Sequence, residues 1–487
     1  MSIECYEECD IMQLRRASLA KNIPFSSKKW FEQYKALSRN EPYHVLLESG
    51  RGGQYSIMGL RPFAVLNGKN NKLKITLNNH TEELTGNPID LMEKWMSQYK
   101  TDQNPAYPEF QGGAIGFFSY DCARYFEKFE NTSKDDLHTP DLYFLVFDDV
   151  FVFDHTENVL WLITHYFEGE QNEAEERLNK LEIEWTNEVN DWSYPYLKLS
   201  EETVEKPFSF TEQEFIKAVE KVRDYIAQGD VFQVNLSVRQ SRPLKTHPLE
   251  IYETLRGLNP SPYMAYMQLP EFQIVSGSPE LLVKKKGDEI STRPIAGTRS
   301  RGLNDEEDLQ LANELIVDEK ERAEHVMLVD LERNDLGRVS AYGSVEVNEF
   351  MVIEKYSHVM HIVSNVRGKI AEEKSVYDLL RATFPGGTIT GAPKVRTMEI
   401  IEELEPVRRG LYTGSIGWIS FSEEMELNIT IRTLIAKDGL AHVQAGAGVV
   451  IDSNPKNEYK ESLKKAFALW KAKELSEEEY EKNMSMR

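Results

Sequence analysis

The 487-residue sequence predicts a mixed α/β protein. Strand-like segments dominate the region before residue 190, whereas helical and strand-like segments alternate from residue 208 to Trp470. Hydrophobic residues make up 40% of the chain, an ordinary share for a globular protein of a size that buries a large core. At roughly 150 residues per domain, the length is compatible with three domains or with one large α/β unit.

The first region, 1–190, contains short apolar runs bounded by turn residues, which is typical of strands. Leu142–Phe153 and Val159–His165 are predicted to pair as a hairpin, and the charged segment 171–190 has a helical pattern. The other predicted strands of this region are His44–Glu48, Ala64–Leu66, Lys72–Thr76 and the glycine-rich run Gln111–Phe118.

The second region, 208–475, opens with a clear helix start. Thr211 followed by Glu214 forms a capping box, and apolar residues then recur at helical spacing up to a C-terminal cap at Gly229. A strand is predicted at Val231–Val238. The aperiodic segment 191–207 connects the two regions, and the charged tail 476–487 is expected to fray.

Charge and cysteine content exclude several classes of protein. With 57 Lys and Arg against 80 Asp and Glu, the net charge of −23 argues against nucleic acid or an anionic membrane as a partner. No signal peptide and no apolar run of about 18 residues is visible. The spacing of the three cysteines does not match a zinc site, and we interpret Cys5, Cys9 and Cys122 as free thiols. We therefore expect a soluble, cytoplasmic protein, and a few placed cations could still bind an anionic substrate.

Two segments combine glycine with basic residues. Phe384–Lys394 carries three glycines and two prolines before a helix start, where backbone N–H groups favour an anion, although a structural turn explains it equally well. Thr292–Gly302 is a basic turn that a solvated loop would also explain.

Acidic residues and one arginine mark the other candidate segments. Glu321 and Glu324 lie on a partly apolar helix, as ion-pair members or metal ligands, and Glu458 and Glu461 share a helix face, which is usually a solvated stripe. Arg432 lies in an apolar strand and needs a partner, and a substrate carboxylate would supply a bidentate one.

Five segments occur in an order that resembles one family, the chorismate-utilising enzymes. They are Arg293–Gly302, Ala323–His325, Asp330–Asp335, Gly446–Gly448 and Tyr459–Glu461. The similarity is dense from residue 210 to the C-terminal helix and weaker in the first half, at Leu46–Ser49 and Gly112–Gly116. The resemblance implies a single large chorismate-binding fold of two facing β-sheets with helices outside.

The resemblance also implies roles for individual residues. Glu324 and Glu461 would hold a Mg²⁺ ion, and Glu280 would assist loss of the ring hydroxyl, with His361 and Thr298 as further catalytic residues. The residues implied to bind chorismate are Gly297, Thr298, Lys394, Tyr412, Arg432, Gly446, Ala447 and Gly448.

Within the family, Gln233 stands where the isochorismate and salicylate branch has a lysine base. Glutamine cannot act as that base, so ammonia is the expected nucleophile. Asn235, Gly386 and Ser415 resemble the branch that retains the enolpyruvyl group and makes 4-amino-4-deoxychorismate for 4-aminobenzoate and folate. Ala296, where many members of that branch have a nucleophilic lysine, opposes it. We favour the folate branch over the alternative, the anthranilate-forming, pyruvate-releasing branch of tryptophan synthesis.

Two further expectations concern partners and a second pocket. None of the three cysteines lies in a nucleophile turn followed by His-x-Glu, so ammonia is expected from a separate glutamine amidotransferase subunit. Ser49, Pro262, Tyr263 and Met264 resemble part of the tryptophan pocket of the family. Both branches carry versions of it, so a functional and a vestigial pocket remain open.

Overall fold

The computed structural model describes residues 15–50, 53–78, 80–187, 206–356 and 359–485. In these ranges, two large antiparallel sheets of eleven and twelve strands form the framework, and the helices pack on their outer faces. The predicted architecture of two facing sheets with helices outside is therefore confirmed. No helix in the described ranges combines the length and the apolar character that crossing a bilayer requires.

The described strands are short and follow one another in chain order. They are β1 (Arg16–Pro24), β2 (His44–Glu48), β3 (Tyr55–Leu60), β4 (Ala64–Lys69), β5 (Lys72–Leu77), β6 (His80–Thr85), β7 (Gly113–Phe118), β8 (Leu142–Phe147), β9 (Asp149–Asp154), β10 (Val159–Phe167), β11 (Gln233–Pro243), β12 (Tyr263–Gln268), β13 (Phe272–Ser278), β14 (Leu281–Lys286), β15 (Glu289–Thr292), β16 (Ile295–Ser300), β17 (Glu346–Lys355), β18 (Val359–Lys369), β19 (Gly391–Ala392), β20 (Ser415–Ser420), β21 (Met425–Ile429), β22 (Thr433–Lys437) and β23 (Leu440–Val449).

The described α-helices are α1 (Trp30–Ser38), α2 (Pro88–Met96), α3 (Gln171–Thr186), α4 (Glu212–Gln228), α5 (Pro248–Leu258), α6 (Asp305–Val317), α7 (Glu319–Gly337), α8 (Val376–Thr383), α9 (Lys394–Leu404), α10 (Pro455–Lys465) and α11 (Phe467–Ser485). The first sheet has the strand order β1-β10-β9-β3-β2-β12-β13-β22-β23-β11-β19. The second has the order β16-β18-β15-β14-β21-β20-β7-β8-β4-β5-β6, with β17 paired to β18.

An apolar layer between the sheets holds them together. It includes Val45, Val152 and Ile435 from the first sheet and Ile115 and Trp418 from the second, all buried. Each such side chain stabilises the fold by about 1.5–3 kcal/mol relative to exposure. Helices α1, α3, α5 and α11 cover the outer face of the first sheet, and α2, α7 and α8 cover that of the second.

Four direct strand-to-strand connections cross from one sheet to the other, and the short strand β19 adds two longer crossings through α8 and α9. In the second half, β13 continues into β14 through 279–280, and β21 continues into β22 through 430–432. These two crossings lie side by side, because β13 pairs with β22 in the first sheet while β14 pairs with β21 in the second. The first half repeats this arrangement, with crossings from β3 to β4 and from β8 to β9.

The prediction of one strand over Leu142–Phe153 is wrong. The run divides at Asp148 into β8, which pairs with β4 and β7, and β9, which pairs with β3 and β10 in the other sheet. Both parts are buried, so the apolar pattern continues through the crossing and conceals it. The pair Asp148–Asp149 was the local signal of the break.

Other predicted elements lie close to their expected positions. The capping box at Thr211 begins α4, and Gly229 ends it in the left-handed conformation with φ 85°. The expected frayed tail 476–487 instead continues α11 as far as Ser485. Buried contacts of Ser476 with Thr246 and of Glu477 with Lys473 explain this helical extension. Cys122 is a buried free thiol, whereas Cys5, Cys9 and most of the predicted connection 191–207 lie outside the described residues.

A buried ion pair fastens the end of α9 to the first sheet. Arg409 Nη2 donates to Glu405 Oε1 at 2.8 Å, with both side chains at most 3% exposed. The same guanidinium donates to the carbonyls of Asn235 and Ile389 at 2.6 and 2.9 Å, and Ser237 donates to Glu405. The pair therefore joins strand β11, helix α9 and the turn 387–389.

We expect Glu405→Ala to lower the free energy of unfolding by about 3–5 kcal/mol, because removing one partner leaves the other charge buried and unpaired. Glu403→Ala is the matched control, since Glu403 forms an exposed pair with Lys221 and such pairs contribute about 0–1 kcal/mol. Urea denaturation followed by circular dichroism measures both variants. Equal stability of the two variants would contradict the structural importance of the buried pair.

Candidate active site

The two adjacent crossings between the sheets position a glutamate and an arginine. Glu280 lies in the β13–β14 crossing, where its carbonyl oxygen accepts from Ile429 N–H at 2.9 Å. Arg432 lies in the β21–β22 crossing, where its carbonyl oxygen accepts from Gly277 N–H at 3.0 Å. The backbone pairing of the crossings thus brings together two residues that are about 150 positions apart in the sequence.

The carboxyl group of Glu280 is suited to carry a proton at neutral pH. Glu280 is only 6% exposed, and burial raises its pKa to about 7, with Thr388 and Lys465 opposing the rise. Among the described residues, neither Glu280 Oε1 nor Thr388 Oγ1 has a hydrogen-bond partner. The two groups are neighbours, since the Thr388 hydroxyl interacts with the Glu280 carboxyl and favours its ionised form.

Arg432 extends toward the C-terminal end of α10. Its Nη1 donates to the carbonyl oxygen of Lys465 at 2.8 Å, and its backbone has a left-handed φ of 52°. Burial lowers the pKa of Arg432, while the neighbouring Tyr412 and Glu461 oppose the change. The guanidinium retains donors beyond the one used by Lys465, as recognition of a carboxylate requires.

Glycines on β23 allow side chains of neighbouring elements to approach the strand closely. A Cβ atom on Gly446 would lie 2.6 Å from Asn235 Oδ1 and 2.9 Å from the Tyr412 hydroxyl, and one on Gly448 would lie 2.3 Å from Gln233 Nε2. Since alternate residues face opposite sides of a strand, these glycines share one face.

Ala447, between the glycines, points to the opposite side and is fully buried. The sequence assigned all three residues to substrate binding, but the side chain of Ala447 faces away from the glycine surface and only its backbone can contribute. Burial raises the pKa of Tyr412, which keeps its hydroxyl protonated near Gly446.

Two pairs of glutamates lie on α7 and α10. Glu324 accepts a hydrogen bond from Gln233 Nε2 at 2.9 Å, and Glu461 pairs with Lys465 at 2.9 Å. Burial and the charge of Glu324 raise the pKa of Glu321. Burial and the charge of Glu461 both raise the pKa of Glu458.

The arrangement of the glutamates suits a Mg²⁺ ion that keeps part of its water shell, rather than a metal enclosed entirely by protein ligands. Within the described ranges, no three His, Cys, Asp or Glu side chains converge to hold a metal. Mg²⁺ commonly uses one or two carboxylates, keeps several waters and takes further oxygens from its substrate. Glu324 and Glu461 match this donor set, and a cation would relieve the mutual repulsion within each glutamate pair.

His361 and Thr298 meet on neighbouring strands. His361 Nδ1 lies 2.9 Å from the carbonyl oxygen of Gly297 and 3.1 Å from Thr298 Oγ1. Because a carbonyl only accepts, this geometry assigns the ring proton to Nδ1 and leaves Nε2 as the acceptor. Burial lowers the pKa of His361, which favours the neutral ring. Gly297 has φ 64°, the left-handed region that favours glycine.

Lys394 lies apart from the glycine surface. Its ammonium donates to Asp335 Oδ2 at 2.6 Å and to the carbonyl oxygen of Thr383 at 3.3 Å. The sequence assigned Lys394 to substrate binding because it begins a helix beside glycines. The structure instead engages its charge in an ion pair with a buried aspartate.

The four residues compared with a tryptophan pocket line one cavity. Ser49, Pro262, Tyr263 and Met264 surround a space of about 320 Å³, with Trp418 and Asn428 of the second sheet on its wall. The volume is sufficient for a small ligand. The structure therefore brings these residues together, while a ligand for them remains a prediction.

The sequence analysis assigned no role to three residues that the structure places around the site. Lys465 donates to the carbonyl oxygen of Gly446 at 3.0 Å and supports both Glu461 and Arg432. Its position four residues after Glu461 on a helix was the available signal. Thr388 and Glu332 also lie near Glu280, and only the fold reveals this proximity.

Comparison with known proteins identifies the family. The family model for chorismate binding enzymes matches residues 43–471. This chain belongs to the chorismate-binding enzyme family. The resemblance predicted from five ordered motifs is thus confirmed, and the glycine surface, Arg432 and the glutamate pairs lie in the matched part of this chorismate-binding enzyme.

Individual relatives come from two branches. The chain is 59% identical to aminodeoxychorismate synthase component 1 of Bacillus subtilis over 468 residues, covering 96% of this chain and 99% of that protein. It is 45% identical to anthranilate synthase component 1 of Acetivibrio thermocellus, covering 88% and 89%. The crystal structure of anthranilate synthase component I from Streptococcus pneumoniae superposes with a TM-score of 0.76 at 37% identity, covering 86% and 92%.

We expect Glu324→Gln and Glu461→Gln to abolish most of the turnover of chorismate and to raise the Mg²⁺ concentration for half-maximal rate, because each would remove one anionic ligand of the expected metal ion. Titration of Mg²⁺ at saturating chorismate measures the change. Glu314→Gln, on the neighbouring helix α6, is a matched control. Unchanged Mg²⁺ dependence in a folded Glu324 or Glu461 variant would remove that residue from the metal site.

The raised pKa of Glu280 predicts that kcat depends on pH near neutrality. A carboxyl that donates its proton is active below its pKa of about 7, so kcat should fall as pH rises through about 7. The profile is measured with free ammonia held constant, because ammonia itself titrates. Glu280→Gln should remove most activity together with this pH dependence. A pH-independent kcat across this range would contradict the acid role.

Proposed function

We propose that this enzyme aminates chorismate with ammonia and forms 4-amino-4-deoxychorismate, the precursor of 4-aminobenzoate in folate synthesis. The observation that carries the proposal is the difference between 59% identity to an aminodeoxychorismate synthase component and 45% to an anthranilate synthase component. Asn235, Gly386 and Ser415 support the same branch from the sequence.

The arrangement of the chain's own residues supports this chemistry. Arg432 is suited to bind a substrate carboxylate, and the buried Glu280, with its raised pKa, is suited to protonate the leaving hydroxyl. A Mg²⁺ ion bound by Glu324 and Glu461 would neutralise charge on a second carboxylate of chorismate. Gln233 donates to Glu324 and supplies no base for activating water, which leaves ammonia as the nucleophile.

Ammonia is proposed to come from a glutamine amidotransferase subunit. The names of the relatives, each a component 1, support a partner subunit. Cys122 is fully buried and its thiol contacts the carbonyl oxygen of Asp141, so it is no candidate for a glutaminase nucleophile. We also propose the cytoplasm as the location, which the free thiol of Cys122 supports.

One residue favours the second candidate function, anthranilate synthesis. Ala296 lies on β16, opposite Ile362 of β18, and is 8% exposed. Its methyl group cannot attack the ring, so the lysine-bound intermediate used by many aminodeoxychorismate synthases cannot form at this position. Ammonia must then be directed to C4 of the ring by the shape of the site.

Product analysis separates the two functions. Purified enzyme with chorismate, Mg²⁺ and ammonium should produce 4-amino-4-deoxychorismate, detected as 4-aminobenzoate after a separate lyase is added, with little pyruvate before that addition. Liquid chromatography with mass spectrometry measures the product, and a lactate dehydrogenase assay measures pyruvate. Formation of fluorescent anthranilate with stoichiometric pyruvate would instead establish anthranilate synthesis as the function.

Two matched reactions complete this experiment. Glutamine should replace ammonium only when the amidotransferase subunit is added. Ala296→Lys should retain the product and leave a covalent substrate adduct visible in the intact-protein mass, whereas Ala296→Met, of similar length but without an amine, should leave none.

A further inference from the structure

A second buried acid lies behind Glu280. Glu332 on α7 is 8% exposed, and the charge of Glu280 raises its pKa in addition to burial. The charged groups that act on Glu332 are Glu280, Asp335 and Lys394. No described basic side chain forms an ion pair with Glu332, so charge neutralisation does not explain why a carboxyl is buried here.

The hydrogen bonds of Thr292 show where the proton of Glu332 lies. Thr292 Oγ1 is 2.8 Å from the carbonyl oxygen of Leu282 and 2.7 Å from Glu332 Oε2. A hydroxyl has one proton, and the carbonyl can only accept it. Thr292 therefore donates to Leu282, and the carboxylic acid of Glu332 donates to Thr292. This geometry agrees with the raised pKa of Glu332.

A small cavity joins this acid to the surroundings of Glu280. Glu332, Thr292 and Asp335 line it on one side, and Gly387 and Ile429 line it on the other. Its volume of about 10 Å³ has room for roughly one water molecule. Ile429 donates its N–H to the main-chain carbonyl oxygen of Glu280, and Gly387 precedes Thr388, which interacts with the Glu280 carboxyl, so the far wall of the cavity is built from neighbours of Glu280.

The reaction requires a proton to reach Glu280 from inside the protein. When the ring hydroxyl leaves as water, it takes the Glu280 proton, and ammonia that has bonded to carbon departs as a protonated amine. Glu280 is then a carboxylate, and its 6% exposure prevents direct contact with bulk solvent. One proton per turnover must therefore come through neighbouring groups.

We propose that Glu332 is a positioning residue that returns a proton to Glu280 in each turnover. The Glu332 O–H bond breaks and a Glu280 O–H bond forms, across the cavity. A hydronium ion from solvent then gives its proton to the Glu332 carboxylate and leaves as water, on the Asp335 side of the cavity, where the Lys394 partner of Asp335 is 16% exposed. The proposal rests on the proposed function, in which Glu280 protonates the leaving hydroxyl.

Two substitutions at position 332 distinguish proton transfer from a structural role. Glu332→Gln preserves size and hydrogen bonding but carries no acidic proton, and Glu332→Asp keeps the acid in a shorter side chain. We expect Glu332→Gln to lower kcat about tenfold or more with chorismate KM unchanged, and Glu332→Asp to retain more of the rate. A structural role predicts the opposite order, because Gln is the closer match in shape.

The controls separate failure of this proposal from failure of the proposed function. Glu424→Gln changes a buried carboxyl in the β20–β21 turn that accepts from Gly287 N–H, and it should keep the wild-type kcat. Absence of 4-amino-4-deoxychorismate from the unmodified enzyme would reject the proposed function. A normal product with wild-type kcat in Glu332→Gln, or equal losses in the two Glu332 variants, would reject only the role of Glu332.

Thr292 provides a second test should the Glu332 variants fail to fold. Thr292→Val removes the hydroxyl that orients the acid, and Thr292→Ser keeps it. We expect the Val variant to lower kcat several-fold at unchanged KM and the Ser variant to stay near the wild type. Equal kcat in the Val and Ser variants would overturn the proposal.

Discussion

The crossing of paired strands from one sheet into the other is the constraint on which the site depends. A strand that changes sheets must leave its ladder for two or three residues, and its backbone groups then need new partners. The crossings at 279–280 and 430–432 provide these partners for each other, through Ile429 to Glu280 and Gly277 to Arg432. The acid and the arginine are thereby fixed by main-chain bonds, which are stiffer than side-chain packing alone.

An anionic substrate is accommodated in this acidic protein by local placement of charge. The net charge of −23 disfavours anions at long range, but screening limits that field to about 8–10 Å at physiological ionic strength. Close to the site, Arg432 and Lys465 are the basic groups, and each already contacts Glu461 or its helix. Glu461 thus balances the cations when substrate is absent and is suited to hold a metal ion when substrate is present.

The sequence predicted those parts of the structure that are encoded locally. The capping box at Thr211, the strand His44–Glu48 and the helix start at Lys394 depend on a few adjacent residues, and the structure confirms each of them. The ordered motifs predicted the family and, with it, the two facing sheets. The division of Leu142–Phe153 was marked only by Asp148 and Asp149, because burial in either sheet produces the same apolar pattern on both sides of them.

The sequence identified most residues of the candidate site, but it did not show which of them contact one another. Glycine spacing indicated close approach on β23, but only strand alternation in the structure separates Ala447 from its neighbours. The engagement of Lys394 by Asp335 depends on the packing of α7 against the start of α9, which no pattern within either helix reveals. Long-range pairing of this kind is fixed by the whole fold.

Each sheet combines strands from both halves of the chain, and this affects how the protein folds while it is being translated. β2 reaches its neighbour β12, and β7 its neighbour β20, only after the second half has left the ribosome. Until then each partial sheet ends in an open edge, and β7 is an uncharged apolar strand of the kind that recruits other chains. The nascent chain is therefore most prone to aggregation, and most in need of chaperones, while these edges are unpaired.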